Sequence, residues 1–419
     1  MAVLFGLAWA ADRRAARRAD RTDDDPAWLS GLGYALALTV YCTSWTYFGA
    51  VGTAVSSGWD YVWILVGPIL VMLFWPALVR RIGDVAQRES VSTLSDFLGA
   101  RYGKSRGVAA LATLAAVTGS LPYIALQLKS VGLSLGTLIG LETSDAALSS
   151  TLVLGTAVAM SAFAILFGAR QSDTTRRNAG LMVVLQFEAL VKLAALAAVC
   201  LFSLSLIRSS GTDLMTAARD TLSGSPGGLR PVTILLLSVA AMICLPRQFH
   251  VAMIERRRGS DVGWARAPFS LYLALTAALV VPIAVAGSVL LPPSASPDLF
   301  VLQLPMQSGA SALALFAFIG GFAAATGMIV VATITLSSMV TNDLIVPALL
   351  EGRRTGGGTD RARLLLIRRS VIVGLLALAY GVYRLGADTA ALAATGLLSF
   401  AAAAQFAPAL LGAVLWRKA

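Results

Sequence analysis

Stretches of about 20 apolar residues recur along almost the whole sequence, and they constrain the fold more than any other feature. A transmembrane α-helix needs about 20 such residues to cross the hydrocarbon core of a bilayer. Hydrophobic residues make up 57% of the chain and charged residues 13%, which is far from the composition of a water-soluble domain. We therefore predict an all-α polytopic membrane protein of ten core helices, called segments 1 to 10: 28–54, 60–79, 106–139, 148–167, 179–207, 231–254, 267–291, 310–343, 364–383 and 390–416.

The placement of positive charge predicts how these segments are oriented. Of the 33 lysine and arginine residues, 26 precede segment 1, follow segment 10 or lie in alternate loops. The opposite loops hold only Arg208, Arg219, Arg230 and Arg384. Because lysine and arginine collect in cytoplasmic loops, both ends of the ten-segment core are predicted to be cytoplasmic, in the inner (plasma) membrane. The same asymmetry and the attraction of anionic lipid explain the net charge of +11 without a nucleic-acid partner.

The N-terminal stretch 1–27 combines ten apolar residues with a basic run from Arg13 to Arg21. A signal peptide has the opposite order. We interpret the stretch as an interfacial anchor or the tail of a further helix. Beyond it we predict a first five-helix repeat at 28–207, an outer loop at 208–230 and a second repeat at 231–419.

Segments 1 and 6 carry features that should break a membrane helix. Segment 1 contains "LTVYCTSWTYFGAVG", with consecutive polar and aromatic residues followed by glycines. Segment 6 contains "ICLPRQFH", in which Pro246 removes a backbone donor. Unpaired backbone is tolerated at membrane depth only where it lines a site, and breaks at matching positions of two inverted halves point to a transporter binding site. One break alone would more often be a packing kink.

The sequence offers no set of residues for an enzyme. It contains a single histidine, no Cys/His metal spacing and no Ser/His/Asp set. The three glycines at 356–358 lack the lysine and hydroxyl of a phosphate-binding loop. We predict that the chain is not an enzyme and that it binds no organic cofactor.

Four stretches in order resemble the sodium/solute symporter family, whose members have a five-plus-five inverted repeat. They are "SVSTLSDFLGARYGKSRGV" before segment 3, "LPYIALQLKSVG" in segment 3, "SSMVTNDL" at the end of segment 8 and "LLSFAAAAQFAPALLGAVLWRKA" in segment 10. The resemblance implies alternating access to a midplane site between segments 1, 3, 6 and 8. Within the family, "YCTSWTYFGAVG" and "LPRQFHVAMIE" are most similar to symporter-like input domains of sensor histidine kinases. Relatives of that kind continue into a kinase module, so the chain is interpreted as ending before one.

The resemblance also implies where a coupling ion would bind. Backbone oxygens of Thr39 and Cys42 correspond to the Na⁺ ligands of segment 1, whereas the paired hydroxyls of segment 8 are replaced by Gly327 and Met328. Thr326, one residue away, is the remaining hydroxyl. Sodium dependence is therefore expected to be weak, and either Na⁺ or H⁺ is a candidate coupling ion.

Segment 5 places two ionisable residues, Glu188 and Lys192, one helical turn apart. Ionisable residues inside a membrane suggest function, and we include both among the ion-coupling candidates. Two alternatives remain: a self-neutralised pair, favoured by the order of Glu and Lys, or a proton carrier.

A small polar organic solute is the predicted cargo, with an amino acid preferred because freed amides at a helix break favour a carboxylate. The predicted solute-binding residues lie on segments 1, 3 and 6: Tyr41, Thr43, Ser44, Trp45, Gln127, Gln248 and His250. For Gln248 and His250, capping of the broken helix is the alternative role, and Gln127 is alternatively a gate. A receptor that only senses the solute for a kinase is the alternative to an ion-coupled symporter.

Overall fold

A computed structural model describes residues 6, 10, 13, 26–140, 146–168, 178–224, 227–351, 361–386 and 392–416. Most of the N-terminal stretch 1–27 and of the inner loop 351–363 lies outside these ranges. Within them the regular structure is entirely helical, which confirms the predicted all-α class. The division into two repeats at 208–230 stays a prediction.

The helices follow the predicted segments in order. Segments 1 to 5 contain Ala27–Leu38 and Ala50–Ser57, Asp60–Phe74, Arg106–Leu138, Ala146–Gly168 and Ala179–Ser209. Segments 6 to 10 contain Arg230–Cys244 and Pro246–Phe249, Asp261–Leu290, Ser311–Met339, Arg361–Gly386, and Leu392–Ala404 with Ala407–Leu415. Shorter helices connect them: Pro76–Arg88, Leu94–Arg101, Leu214–Leu222, Phe300–Gln307 and Val346–Glu351.

Six of the described helices have the length and apolar character of membrane spans, and the number reaches eight when each of two bent helix pairs is taken as a single span. The difference from the predicted ten has a physical cause in segment 1, where the helix is divided into two short halves. Segment 4 contributes only a shorter apolar helix. The polytopic class is therefore confirmed, and the number ten stays a prediction.

Segment 2 differs from the straight helix predicted over 60–79. Its chain bends by 79° between Asp60–Phe74 and Pro76–Arg88. Pro76 begins the second helix, a position where the missing proline N–H costs nothing. The bend turns the polar helix Pro76–Arg88 away from the direction of the span.

The breaks in segments 1 and 6 are confirmed, and they are built alike. In segment 1 the α-helix ends at Leu38, Cys42 is extended, and a π-helical turn follows at Trp45–Gly49. In segment 6 the α-helix ends at Cys244 and Leu245 is extended with ψ 126°, because a residue before proline is driven out of the helical conformation. A π-helical turn again follows, at His250–Ile254.

Segments 2 and 6 pack side by side and are joined at three levels. At mid-length, Gly67 lies against the backbone of segment 6, and Ser238 Oγ donates a hydrogen bond of 3.0 Å to the Trp63 carbonyl. An ion pair of 2.7 Å joins Arg230 to Asp60 where the two segments begin, and one of 2.6 Å joins Arg256, just after segment 6, to Asp84 of the helix Pro76–Arg88.

The predicted orientation can be tested with single cysteines on opposite sides. Ser209→Cys and Ser294→Cys, both at exposed positions after segments 5 and 7, should react with an impermeant thiol reagent added outside intact cells. Glu89→Cys, exposed between segments 2 and 3, should react only after permeabilisation. The native cysteines are buried and should give little background. If only Glu89→Cys were labelled from outside intact cells, the predicted orientation would be wrong and the opposite one would hold.

Candidate functional site

The break in segment 1 is held against segment 3 by polar side chains. Gln127 Oε1 accepts hydrogen bonds from the backbone N–H of Ser44 at 3.1 Å and from its hydroxyl at 2.7 Å. The hydroxyls of Thr43 and Tyr123 lie 2.9 Å apart. Tyr41 donates to the Ile64 carbonyl of segment 2 at 2.9 Å. These contacts bring four predicted solute-binding residues together around the break.

Arg247, which the sequence analysis did not assign to the site, lies at its centre. Its guanidinium carbon lies 4.4 Å from the centre of the Tyr123 ring, which stacks on Phe400 of segment 10. The side chain is only 3% exposed, yet Nε and Nη2 have no hydrogen-bond partner. Its position directly after Pro246 is the sequence signal that could have identified it.

Several other buried polar atoms around the two breaks also lack partners. Buried polar groups in proteins are almost always hydrogen-bonded, so such atoms need an explanation. Where segments 1, 3 and 6 meet, the unpaired donors are Trp45 Nε1, Gln127 Nε2, Arg247 Nε and Arg247 Nη2, with Gln248 Oε1 as an unpaired acceptor; His250 Nδ1 and, on segment 5, Glu188 Oε1 also lack partners. An excess of donors that includes a cation is suited to a ligand rich in acceptors and carrying negative charge.

The two predicted site residues after the proline of segment 6 point to different neighbours. Gln248 donates to the Leu38 carbonyl of segment 1 at 3.1 Å, so it joins the two breaks. His250 Nε2 instead lies 3.3 Å from Glu255 Oε1. The Glu255 carboxylate in turn accepts the backbone N–H of Asn178, at the start of segment 5. The structure therefore groups Gln248 with the site and His250 with a contact between segments 5 and 6.

This separation predicts different results for two alanine variants. Gln248→Ala should weaken solute binding, because a buried amide that bridges the breaks is lost. His250→Ala should lower the melting temperature and leave the affinity of the folded protein near normal. Measuring melting temperature and solute affinity on the same preparations tests both, and a selective loss of affinity in His250→Ala would return that residue to the site.

The predicted ion-coupling residues also come together, although not as a sodium site. Lys192 Nζ donates to the carbonyl oxygens of Thr39 at 2.7 Å and Cys42 at 2.8 Å. No ion pair joins Lys192 to Glu188 among the described residues, so the direct pair considered from their spacing is not observed. Thr326, on segment 8, donates its hydroxyl to Phe322 within its own helix.

A carboxyl group lies beside Ala50–Ser57, the half of segment 1 that follows the break. Asp298, in the connection between segments 7 and 8, packs against Gly52, where an added Cβ would collide with its carboxylate. Burial raises the pKa of Asp298 to about 6, while a hydrogen bond from the Leu392 backbone and the charge of Lys129 act in the opposite direction. This carboxyl group therefore loses its negative charge as the pH falls through about 6.

Comparison with known proteins adds a family and a fold. The family model for the sodium:solute symporter family matches residues 28–246. A Na⁺-coupled sialic acid symporter, solved in a substrate-bound outward-open state, is similar with a TM-score of 0.68 and 14% identity, covering 99% of this chain and 86% of that one. A manganese transporter of Eremococcus coleocola has a TM-score of 0.51 and 12% identity, covering 93% and 94%. A search of curated protein sequences gives no match.

These relatives are transporters rather than enzymes, in agreement with the prediction from the sequence. At identities of 14% and 12% the solved structures show the fold alone.

Proposed function

Because the chain belongs to the sodium:solute symporter family, we propose that it is an ion-coupled symporter whose solute is a small polar organic molecule with a carboxylate. An amino acid is the preferred class. The solute would bind where the breaks of segments 1 and 6 meet segment 3.

The observation that carries this proposal is the buried guanidinium of Arg247, whose Nε and Nη2 have no hydrogen-bond partner. Within the described ranges no carboxylate forms an ion pair with it, and its polar surroundings are the phenols of Tyr41 and Tyr123. A buried cation without a counter-charge is costly. A solute carboxylate would supply that charge and accept two parallel N–H bonds from the planar guanidinium.

The remaining unpaired atoms fit the rest of an amino acid. Gln248 Oε1 is an acceptor for an ammonium group, and Gln127 Nε2 is a further donor for a carboxylate or a side-chain oxygen. Tyr123 and Phe400 form an aromatic wall beside Arg247. A solute with both charges would therefore meet complementary groups on three segments.

Alternating access would follow from rocking of segments 1, 2, 6 and 7 against the others. Segments 2 and 6 are joined at both ends and at mid-length, which supports motion as a unit. We place the protein in the inner (plasma) membrane with both ends of the core cytoplasmic. The family and the sialic acid symporter support Na⁺ as the coupling ion, with H⁺ as the alternative.

A sensing role is the second candidate. It is favoured by "YCTSWTYFGAVG" and "LPRQFHVAMIE", which resemble input domains of histidine kinases. In that case the solute would change the conformation of the ten-segment core and a kinase module would read the change. The two candidates share the binding site and differ in whether solute crosses the membrane.

Uptake into liposomes tests the function directly. The purified chain is reconstituted and offered a panel of radiolabelled amino acids under an imposed sodium gradient or an imposed proton gradient. Gradient-driven accumulation of one amino acid is expected, and binding without accumulation would favour sensing. Accumulation of a solute without a carboxylate would contradict the proposed substrate class.

A further inference from the structure

The geometry points to a covalently attached cation in place of sodium: we propose that the Lys192 ammonium occupies the position between segments 1 and 8 where symporters of this family hold Na⁺. The role of this lysine in transport rests on the proposed function. The inference itself states which cation holds the broken segment 1 against the helices beside it. Solute binding would then need no sodium at this position.

The first observation is the occupation of the expected oxygen ligands. The resemblance assigns the Thr39 and Cys42 carbonyls to Na⁺, and both accept hydrogen bonds from Lys192, at 2.7 and 2.8 Å. The lysine side chain is 6% exposed. A sodium ion bound to the same two oxygens would lie within a few ångströms of the ammonium, and such a pair of positive charges repels strongly in a buried site.

The second observation is on segment 8, where the family's hydroxyl pair is replaced by Gly327 and Met328. An added Cβ at Gly327 would collide with Glu188 Oε2. The missing side chain on segment 8 therefore leaves space that the Glu188 carboxylate fills. Glu188 is 2% exposed, and its Oε1 has no hydrogen-bond partner.

These two changes are complementary. Lys192 of segment 5 donates to the carbonyls of segment 1, and Glu188, one turn earlier, supplies a carboxyl oxygen against segment 8. Among the described groups, Glu188 and the Cys42 thiol are the titratable neighbours that act on Lys192. The residues present therefore do not fit a bound Na⁺, and they do fit a lysine that has replaced it.

The test uses Na⁺ alone as the probe and needs no knowledge of the solute. The purified full chain is titrated with sodium chloride against N-methylglucamine chloride at constant ionic strength, while melting temperature and ²²Na⁺ binding are measured. The wild type should show no saturable sodium effect that depends on Glu188, whatever sodium binds elsewhere in the protein. In Lys192→Met the carbonyls and Glu188 remain without a cation, so a saturable rise in melting temperature with sodium should appear.

Three further variants sharpen the result. Lys192→Met combined with Glu188→Gln should lose the acquired response, because the anionic ligand is gone. Lys129→Met makes the same substitution on segment 3 and should acquire no sodium response. Lys192→Arg keeps a positive charge and should stay insensitive to sodium.

Two outcomes would overturn the proposal. One is a folded Lys192→Met protein whose sodium response equals that of the wild type. The other needs no lysine variant: saturable ²²Na⁺ binding to the wild type that Glu188→Gln removes would place sodium at this position. Failure of amino acid uptake would count against the proposed solute and would leave these sodium measurements unaffected.

Discussion

Replacing Arg247 with methionine should weaken solute binding at least about 30-fold while leaving the solute-free protein as stable as the wild type, or more stable. Truncating one partner of a buried, hydrogen-bonded charge pair costs about 2 to 5 kcal/mol, and each 1.4 kcal/mol is tenfold in affinity. Without solute the guanidinium is buried with no carboxylate partner among the described residues, and two of its nitrogens have no hydrogen bond, so an apolar side chain of similar length removes a cost.

Equilibrium binding of the amino acid identified by the uptake panel, with melting temperature measured in its absence, checks both parts. Arg247→Lys keeps the charge and loses the planar fork, so it should bind with intermediate affinity. Arg208→Met is the matched control, because Arg208 is exposed after segment 5. Unchanged affinity in Arg247→Met, or a large fall in its solute-free stability, would contradict a carboxylate-binding role.

Gly67→Ala should destabilise the protein strongly, because it separates segments 2 and 6. An added Cβ would collide with Ser238 Oγ and would lie 2.7 Å from the Val239 nitrogen and 2.8 Å from the Ser238 carbonyl carbon. Backbone atoms cannot turn aside as a side chain can, so the helices must move apart. Over-packing of this kind costs about 1 to 3 kcal/mol.

Thermal melting of the purified variants gives the measurement. Gly374→Ala is the matched control, since Gly374 lies in segment 9 with open space around it and alanine is the better helix former. Equal melting temperatures for the two variants would show that segments 2 and 6 do not depend on their close approach at Gly67.

The fold could be predicted where the signal is local. Apolar length located the segments, and Pro246 located the break in segment 6 because a proline acts on its own backbone and on the residue before it. The bend after Phe74 was missed because a run of apolar residues has the same pattern whether the helix continues straight or bends. Whether segments 1 and 4 are full spans also depends on packing, which hydropathy does not encode.

The site shows the same limit. Glu188 and Lys192 were identified as unusual from their position in an apolar segment, and helical spacing favoured a direct pair. In the structure Lys192 instead donates to the carbonyls of Thr39 and Cys42, where the α-helix of segment 1 has ended. Arg247 follows the same proline break as Gln248 and His250 but was not among the predicted solute-binding residues, because its aromatic neighbours come from segments 3 and 10, far away in sequence.

The ion pairs at the two ends of segments 2 and 6 have a consequence for leakage. Arg230 with Asp60 joins the two segments, and Arg256 with Asp84 joins the residues that follow them, so neither ion pair would have to separate in the proposed tilt of this pair. A rigid pair of helices that tilts would narrow the opening on one side of the bundle by the same rotation that widens the opening on the other side. Uncoupled flow of ions or solute needs a conformation that is open to both sides at once. The rigidity of this helix pair would oppose that conformation, with no single gate residue needed.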